Sequence, residues 1–415
     1  AEQAKTAANP DLDKAKALDA EIALLALAKP PLHYLDNAAT SQIHQSALQA
    51  MADHDMFRRA NIMRGTYRLA EAATTAYEEA RARVARFVNA FTPNEVVFTS
   101  GATSALNLVA HSFGESLRSG DEVIVSLAEH HSNLVPWQLL RQRTGIILKF
   151  LPVTADGRID ATALAELATS RCRLIAVTHC SNVTGAVTDI AAIVAAARSV
   201  GARVLVDGAQ QVQHGPVDVQ ALGIDFYAFS GHKCYGPTGI GVLWARHALL
   251  DAMPPFLAGG GMVGEVTPEG STFARPPQRF EAGTPPIAQA VGLGAALSWL
   301  TTLPWDDIRR HEQRLLQALL AGLARKPGVR ILGPTDLEAR HPVVSFDIAG
   351  LHPHDVCQVL DRHGVALRGG HHCAQPLMQH FGLDGANRAS IALYNSLADI
   401  EALLDGLDDV IEVLR

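Results

Sequence analysis

Lys233 sits in Ser230-Gly231-His232-Lys233-Cys234-Tyr235-Gly236-Pro237-Thr238-Gly239, directly after the apolar run Phe226–Phe229. A lysine in a stretch that should be buried is costly as a cation, and an amine that sheds its proton can form an imine with a carbonyl. Asp207 and Gln210 follow a second apolar run, Val204-Leu205-Val206. A carboxylate buried there needs a partner that offsets its desolvation, and a protonated ring nitrogen, an arginine or a helix N-terminus would each serve. Ser100-Gly101-Ala102-Thr103 follows Val96-Val97-Phe98 and precedes the helical stretch Ala105–His111. It reads either as an anion site at a helix start or as a plain cap. His130-His131 and Asn182 come after two further runs, Val123–Ser126 and Ile175–Thr178. The Gly236–Gly241 stretch looks like a dinucleotide loop, but its glycines open no helix, so it reads as a tight turn into a strand.

These groups meet only if the runs before them are strands of one sheet. Strands are expected at Glu95–Thr99, Glu122–Ser126, Arg173–Thr178, Arg203–Asp207, Phe226–Ser230 and Gly241–Trp244, with helices such as Ala161–Ala168 and Ile190–Val200 between them. Buried β-branched strands alternating with helices predict an α/β fold with a mainly parallel sheet covered on both faces. Ligands of such sheets bind beyond the carboxyl ends of the strands, and five strands here end in polar groups. The Gly/Pro-rich stretch Gly259–Pro286 must be loop or hairpin. A long helical segment over Ala288–Ala324, strands near Val343–Ile348 and Gly364–Arg368, and a closing helix from Leu397 predict a smaller α+β domain. The expected division is a helical arm over residues 1–31, a large cofactor domain over 32–293 and a small domain over 294–415. In the arm, Asp11–Ala28 puts Leu18, Ile22 and Leu25 on one stripe before Pro30-Pro31. That stripe would pack on the body of the protein or dock a partner.

The composition sets outer limits. With 415 residues, 48% of them hydrophobic, the chain can fill a large core. Lys+Arg 35 against Asp+Glu 42 gives a net charge of -7, which argues against nucleic acid as the main partner. No apolar run approaches the ~18 residues of a membrane helix, and the first residues lack the basic-then-apolar layout of a secretion signal. Five scattered cysteines fit reduced thiols better than a disulfide framework. A cytoplasmic globular protein with no membrane partner is expected.

A lysine for an imine, a carboxylate for a ring nitrogen, an aromatic ring to stack, and hydroxyls with a helix start for a phosphate are together what pyridoxal phosphate requires. The Ser230–Gly239 segment resembles the cofactor-lysine motif of class V aminotransferase-fold enzymes (fold type I). With Tyr34-Leu35-Asp36-Asn37-Ala38-Ala39 and Arg368-Gly369-Gly370-His371-His372-Cys373-Ala374, the chain from Tyr34 onward resembles the group II cysteine desulfurases, the branch that includes selenocysteine lyases. The resemblance implies a seven-stranded sheet in the large domain. It implies that Lys233 carries the cofactor and moves protons, that Asp207 pairs with the ring nitrogen, and that Gln210 bonds the phenolic oxygen. His130 would stack on the ring and serve as an acid–base group, while His131 would be structural. Ala102, Thr103, Ser230 and His232 would meet the phosphate, although many relatives carry threonine where Ala102 stands. Thr284, in Arg279–Pro285, would reach the phosphate of the other subunit of a homodimer, and the Gly259–Arg279 hairpin would lean over the partner's site.

By the same resemblance Arg388 would grip the substrate α-carboxylate with its fork, and Asn182 would position substrate and ring. Arg368 would shape the loop before Cys373, or make an ordinary surface ion pair. Cys373 would be the nucleophile that takes sulfur from L-cysteine as a persulfide, releasing L-alanine. An inert buried thiol and a zinc site with His371 and His372 are the competing readings. The zinc site fails because adjacent side chains do not all converge on one ion, and no metal is expected. Cys172, Cys180, Cys234 and Cys357 read as packing residues. The implied activity is a cysteine desulfurase that hands sulfur to an acceptor protein, as for iron–sulfur assembly, and also accepts L-selenocysteine. The alternatives are another reaction on the same cofactor (selenocysteine lysis, transamination, epimerisation or β-elimination) and a catalytically idle sulfur carrier or scaffold.

Overall fold

Seven short, mostly apolar runs become the strands of one sheet: β1 (Val96–Thr99), β2 (Glu122–Ser126), β3 (Ile147–Leu151), β4 (Cys172–Thr178), β5 (Arg203–Asp207), β6 (Phe226–Ser230) and β7 (Gly241–Ala245). The structure is a computed structural model and describes residues 30–414. The helix expected over Asp11–Ala28 lies outside them. The strand order is β1-β7-β6-β5-β4-β2-β3, parallel except for β7, which runs against both β1 and β6. Side chains alternate between the two faces. Phe98, Ile124, Ile175, Val204 and Phe229 enter one core, while Val97, Val123, Leu174, Leu205 and Ala228 enter the other. Burial on both faces is what near-continuous apolar runs require. The sequence reading missed β3, an edge strand whose Ile147, Lys149 and Phe150 are not buried, so its pattern is diluted.

Helices α1 (Gln45–Phe57), α2 (Arg68–Phe87), α3 (Ala102–Leu108), α4 (Val135–Thr144) and α5 (Ile190–Val200) cover the sheet. The α5 ends follow from its caps. Asp189 accepts from the Ala192 N–H at 3.0 Å, and Gly201 leaves the helix at φ 75°. The single segment expected over Ala288–Ala324 is in fact two helices, α6 (Ile287–Leu300) and α7 (Trp305–Leu323), which meet at 88°. Pro304 explains the break. It has no N–H to continue α6 and sits naturally just ahead of α7. Among the described residues no single helix is long and apolar enough to cross a membrane.

Gly259–Pro286 contains a hairpin, β8 (Val263–Thr267) against β9 (Gly270–Phe273), almost wholly exposed. The return from it is anchored deep in the fold. Glu281 accepts from Arg81 Nη1 at 2.6 Å, from the Phe98 N–H at 2.7 Å and from the Tyr77 hydroxyl at 3.0 Å. Both side chains of the ion pair are essentially inaccessible. Removing one partner of such a pair strands a buried charge, so Glu281→Gln should cost about 3–5 kcal/mol of stability in urea unfolding.

The later residues build a second sheet, order β10-β11-β13-β12, from β10 (Val329–Leu332), β11 (Val343–Ile348), β12 (Arg368–Gly370) and β13 (Ala386–Ser390), all antiparallel. Helices α8 (Pro353–Arg362) and α9 (Leu397–Leu414) pack with them. The run expected at Gly364–Arg368 divides. Val365–Ala366 pairs with His33–Tyr34, and Arg368 opens β12. The sequence reading also missed β13, whose Ala-Asn-Arg-Ala-Ser carries little β propensity and is nonetheless fully buried.

Candidate active site

The parallel strands end at one rim, where a cleft of about 840 Å³ opens. Lys233, partly buried one turn beyond β6, lines it. Burial pushes its ammonium down to about 8, and Asp207 only partly opposes this. Asp207 ends β5, also buried, with Oδ1 accepting the Ala209 N–H at 3.0 Å. Burial raises its carboxyl, and the Ala209 N–H and Lys233 hold it down only in part. The chain can turn here because residue 208 is glycine, where a Cβ would fall 2.1 Å from the Tyr227 hydroxyl. Gln210 donates to the Ala38 carbonyl at 2.7 Å, and its Oε1 is buried with no partner among the described residues.

Ala102 and Thr103 begin α3, which continues into a π turn at Val109–Phe113. The Ala102 N–H donates to Ser230 Oγ at 2.8 Å, so the end of β6 and the start of α3 form one cradle, with His232 beside it. His130 faces the cleft after β2. Its Nδ1 accepts the Ser132 N–H at 3.1 Å, which leaves the ring proton on Nε2. Burial, with Lys233 next, pushes its pKa down to about 3. This ring is neutral at ordinary pH.

The second sheet closes the cleft from the other side. Arg388, on β13, is buried, with Nη1 on the Asn182 carbonyl at 3.0 Å and Nη2 on Asp36 Oδ1 at 3.2 Å. Asn182 spends its own amide on the His372 carbonyl at 2.7 Å, so it holds the cysteine loop as well as lining the cleft. Arg368 is half exposed and grips Asp36 with Nη2 at 2.8 Å and Nε at 3.1 Å. It is thus a partly exposed ion pair that also fixes the strand leading to Cys373. Cys373 is exposed and lines the same cleft. His372 and Cys373 both hold the left-handed backbone, at φ 52° and 54°, a costly conformation for non-glycine residues that the surroundings must hold in place. The holders are Asn182, the His131 N–H on the Cys373 carbonyl at 2.7 Å, and the Cys373 N–H on His371 Nδ1 at 3.0 Å. The other four thiols are less accessible, and burial raises each of them: Cys172 and Cys357 to about 11, Cys180 and Cys234 to about 12. Thr284 is not in this cleft. It lies in a separate groove with Asn61, Ile62 and Gly261 and accepts from Asn61 Nδ2 at 3.4 Å.

The residues present fit pyridoxal phosphate. A largely buried amine shifted toward its neutral form, a buried carboxyl short of a positive partner and a helix-start cradle are three complements the cofactor needs. The fold and cleft define a fold type I enzyme that carries pyridoxal phosphate. The chain belongs to the aminotransferase class-V family, whose pattern it matches over residues 33–403. It is 47% identical over 384 residues to a probable cysteine desulfurase of Streptomyces coelicolor, covering 91% of this chain and 92% of that one. It is also 47% identical to a cysteine desulfurase of Dickeya dadantii, covering 92% and 93%. The fold superposes on the Escherichia coli cysteine desulfurase CsdA with a TM-score of 0.86 at 42% identity, covering 93% and 97%. The apo cysteine desulfurase of Thermococcus onnurineus gives 0.88 at 40%, covering 91% and 94%.

Two groups escaped the sequence reading. Asp36 appears there only inside a longer motif. Glu129, next to His130, is wholly buried and accepts from Ser126, from Asn133 Nδ2 at 2.6 Å and from the Thr178 N–H at 2.9 Å. Its burial still raises the carboxyl to about 8. The signal for it was available, since a carboxylate just past an apolar strand is the argument that found Asp207. One prediction follows from Lys233. Apo protein should take up pyridoxal phosphate faster as pH rises through about 8, read from growth of the bound cofactor's absorption, because only the neutral amine adds to the aldehyde. A rate that is flat across that range removes the argument.

Proposed function

We propose that this protein is a cysteine desulfurase that takes sulfur from L-cysteine, releases L-alanine and holds the sulfur as a persulfide on Cys373. The observation that carries the reading is the position of Cys373: an exposed thiol at the cleft whose floor is Lys233 and Asp207 and whose wall is Arg388. The relatives named as cysteine desulfurases support it.

The roles follow from chemistry and place. Arg388 binds the substrate α-carboxylate, and its buried Nε, without a partner among the described residues, is a donor left for it. Asp207 would hold a proton on the ring nitrogen, and the neutral His130 ring, which lines the same cleft, would stack on the cofactor and offer its Nε2 proton. Gln210 gives the phenolic oxygen a neighbour. Ala102, Thr103, Ser230 and His232 hold the phosphate. When bound, the cofactor supplies an electron sink that lets the substrate carbon–sulfur bond break. Lys233, in its neutral form, takes the α-proton and returns a proton to the carbon that loses sulfur. Cys373 attacks as the thiolate, so the new S–S bond forms as the C–S bond breaks.

The two sheets serve as a large cofactor-bearing domain and a small domain that brings Arg388 and Cys373 to it. The exposed hairpin and Thr284 complete the partner's phosphate site in a homodimer. The persulfide passes to an acceptor protein, with iron–sulfur assembly as its destination, and L-selenocysteine is a second substrate. The deciding experiment supplies L-cysteine, with and without a reductant, and counts L-alanine against sulfide. Equal amounts with reductant support the reading; pyruvate in place of alanine would point to β-elimination. A second measurement tests the shared site: Thr284→Val should weaken pyridoxal phosphate binding by about tenfold in the dimer, since it removes one hydrogen bond to a charged group.

A further inference from the structure

Two arginines stand opposite each other on adjacent strands: Arg368 on β12 is in register with Arg388 on β13. Like charges facing across a sheet repel, and a buried guanidinium without a counter-ion is costly. Asp36 supplies the counter-ion to both. Its Oδ2 accepts Arg368 Nη2 and Nε, and its Oδ1 accepts Arg388 Nη2. The aspartate is itself fixed. Its backbone bridges to Ser390, two residues past Arg388, and the Ser390 N–H donates to the Leu35 carbonyl at 2.7 Å.

The other terminal nitrogen of Arg388 rests on the Asn182 carbonyl. Its Nε is buried and has no partner among the described residues, a position that favours an incoming acceptor. Arg388 lines the cofactor cleft, whereas Asp36 lines a separate recess of about 360 Å³ with His354 and Cys357. The guanidinium is therefore held at both terminal nitrogens, by Asp36 and by the Asn182 carbonyl, while its Nε keeps an unused donor.

We propose that Asp36 is the positioning residue for Arg388, setting the guanidinium so that its free edge meets the α-carboxylate of L-cysteine. The inference rests on the reading of Arg388 given above and deepens it. The same carboxylate holds Arg368, so the group that reads the substrate is tied to the strand whose next residues carry Cys373.

The test uses the holoenzyme with L-cysteine, L-alanine and cysteamine, which is L-cysteine without its carboxylate. Asp36→Asn keeps the shape and removes the charge. The KM for L-cysteine should rise about tenfold with kcat within about threefold, and L-alanine should inhibit about tenfold more weakly. Inhibition by cysteamine should not change, because it has no carboxylate for Arg388 to hold. A KM within about twofold of the unaltered enzyme overturns the proposal. Equal weakening of L-alanine and cysteamine also overturns it, since a generally loosened cleft gives that result. If Asp36→Asn does not fold, Arg368→Gln takes its place, because it frees Asp36 from one of its two holders at a half-exposed side chain. It should raise KM about threefold, and an unchanged KM overturns the proposal. Failure of the activity itself looks different: the unaltered enzyme would then form no L-alanine from L-cysteine.

Discussion

A Cys373→Ala protein should remain yellow with bound cofactor and should release sulfide from L-cysteine at least about a thousandfold more slowly, the usual scale for loss of a nucleophile. The reason is positional. Every other thiol is buried or half-buried, and burial pushes each toward the protonated form, to about 11 or about 12. A thiol in that form neither attacks sulfur nor passes a persulfide to another protein. Cys373 alone stands exposed at the cleft, on a backbone held in the left-handed region by contacts from both sheets. The alanine side chain removes only the sulfur, and the Asn182 and His131 contacts to the loop carbonyls are made with backbone atoms, so the loop should survive. Sulfide release at the normal rate would put the sulfur chemistry elsewhere in the cleft.

Much of this site was readable because it lies where strands stop. All five large-sheet strands that carry polar ends, β1, β2, β4, β5 and β6, were found within a residue, because buried strands are unbroken apolar runs with turn residues at their ends. Asp207, His130 and Lys233 then fell into place by counting from those ends. The small sheet was harder. Arg388 lies in Ala386–Ser390, a strand made by its neighbours and not by its own residues, so only resemblance pointed to it. Asp36 was harder still. It precedes its partners Arg368 and Arg388 by more than three hundred residues, and no local pattern signals that separation. The split of the long helical segment at Pro304 shows the opposite error. An apolar periodicity continued on both sides of a breaker that had been visible from the start.

Lys233→Met should be the most damaging change to activity and, in the apo protein, a stabilising one. Activity should fall by at least about ten-thousandfold, because covalent attachment of the cofactor and proton transfer at the substrate carbons depend on one amine. The stability effect has the opposite sign because the fold holds this amine against its preference. The folded-state value is about 8 against an ordinary 10.5, so between these the unfolded chain binds more protons than the folded one. Stability of the apo protein therefore rises with pH through that window, and below it the folded state carries the whole cost of a buried ammonium. That cost is on the order of 3 kcal/mol. Methionine fills the same space without charge, so the variant should unfold at higher urea than apo wild type at pH 7, by about this amount, since the folded-state value already includes the attraction of Asp207. The gain should shrink as pH rises past about 8 and vanish near pH 10.5, where the wild-type amine is neutral in both states. A Lys233→Met apo protein no more stable than wild type at pH 7 would mean that the amine is comfortably solvated. Its readiness to form an imine would then need another cause than burial.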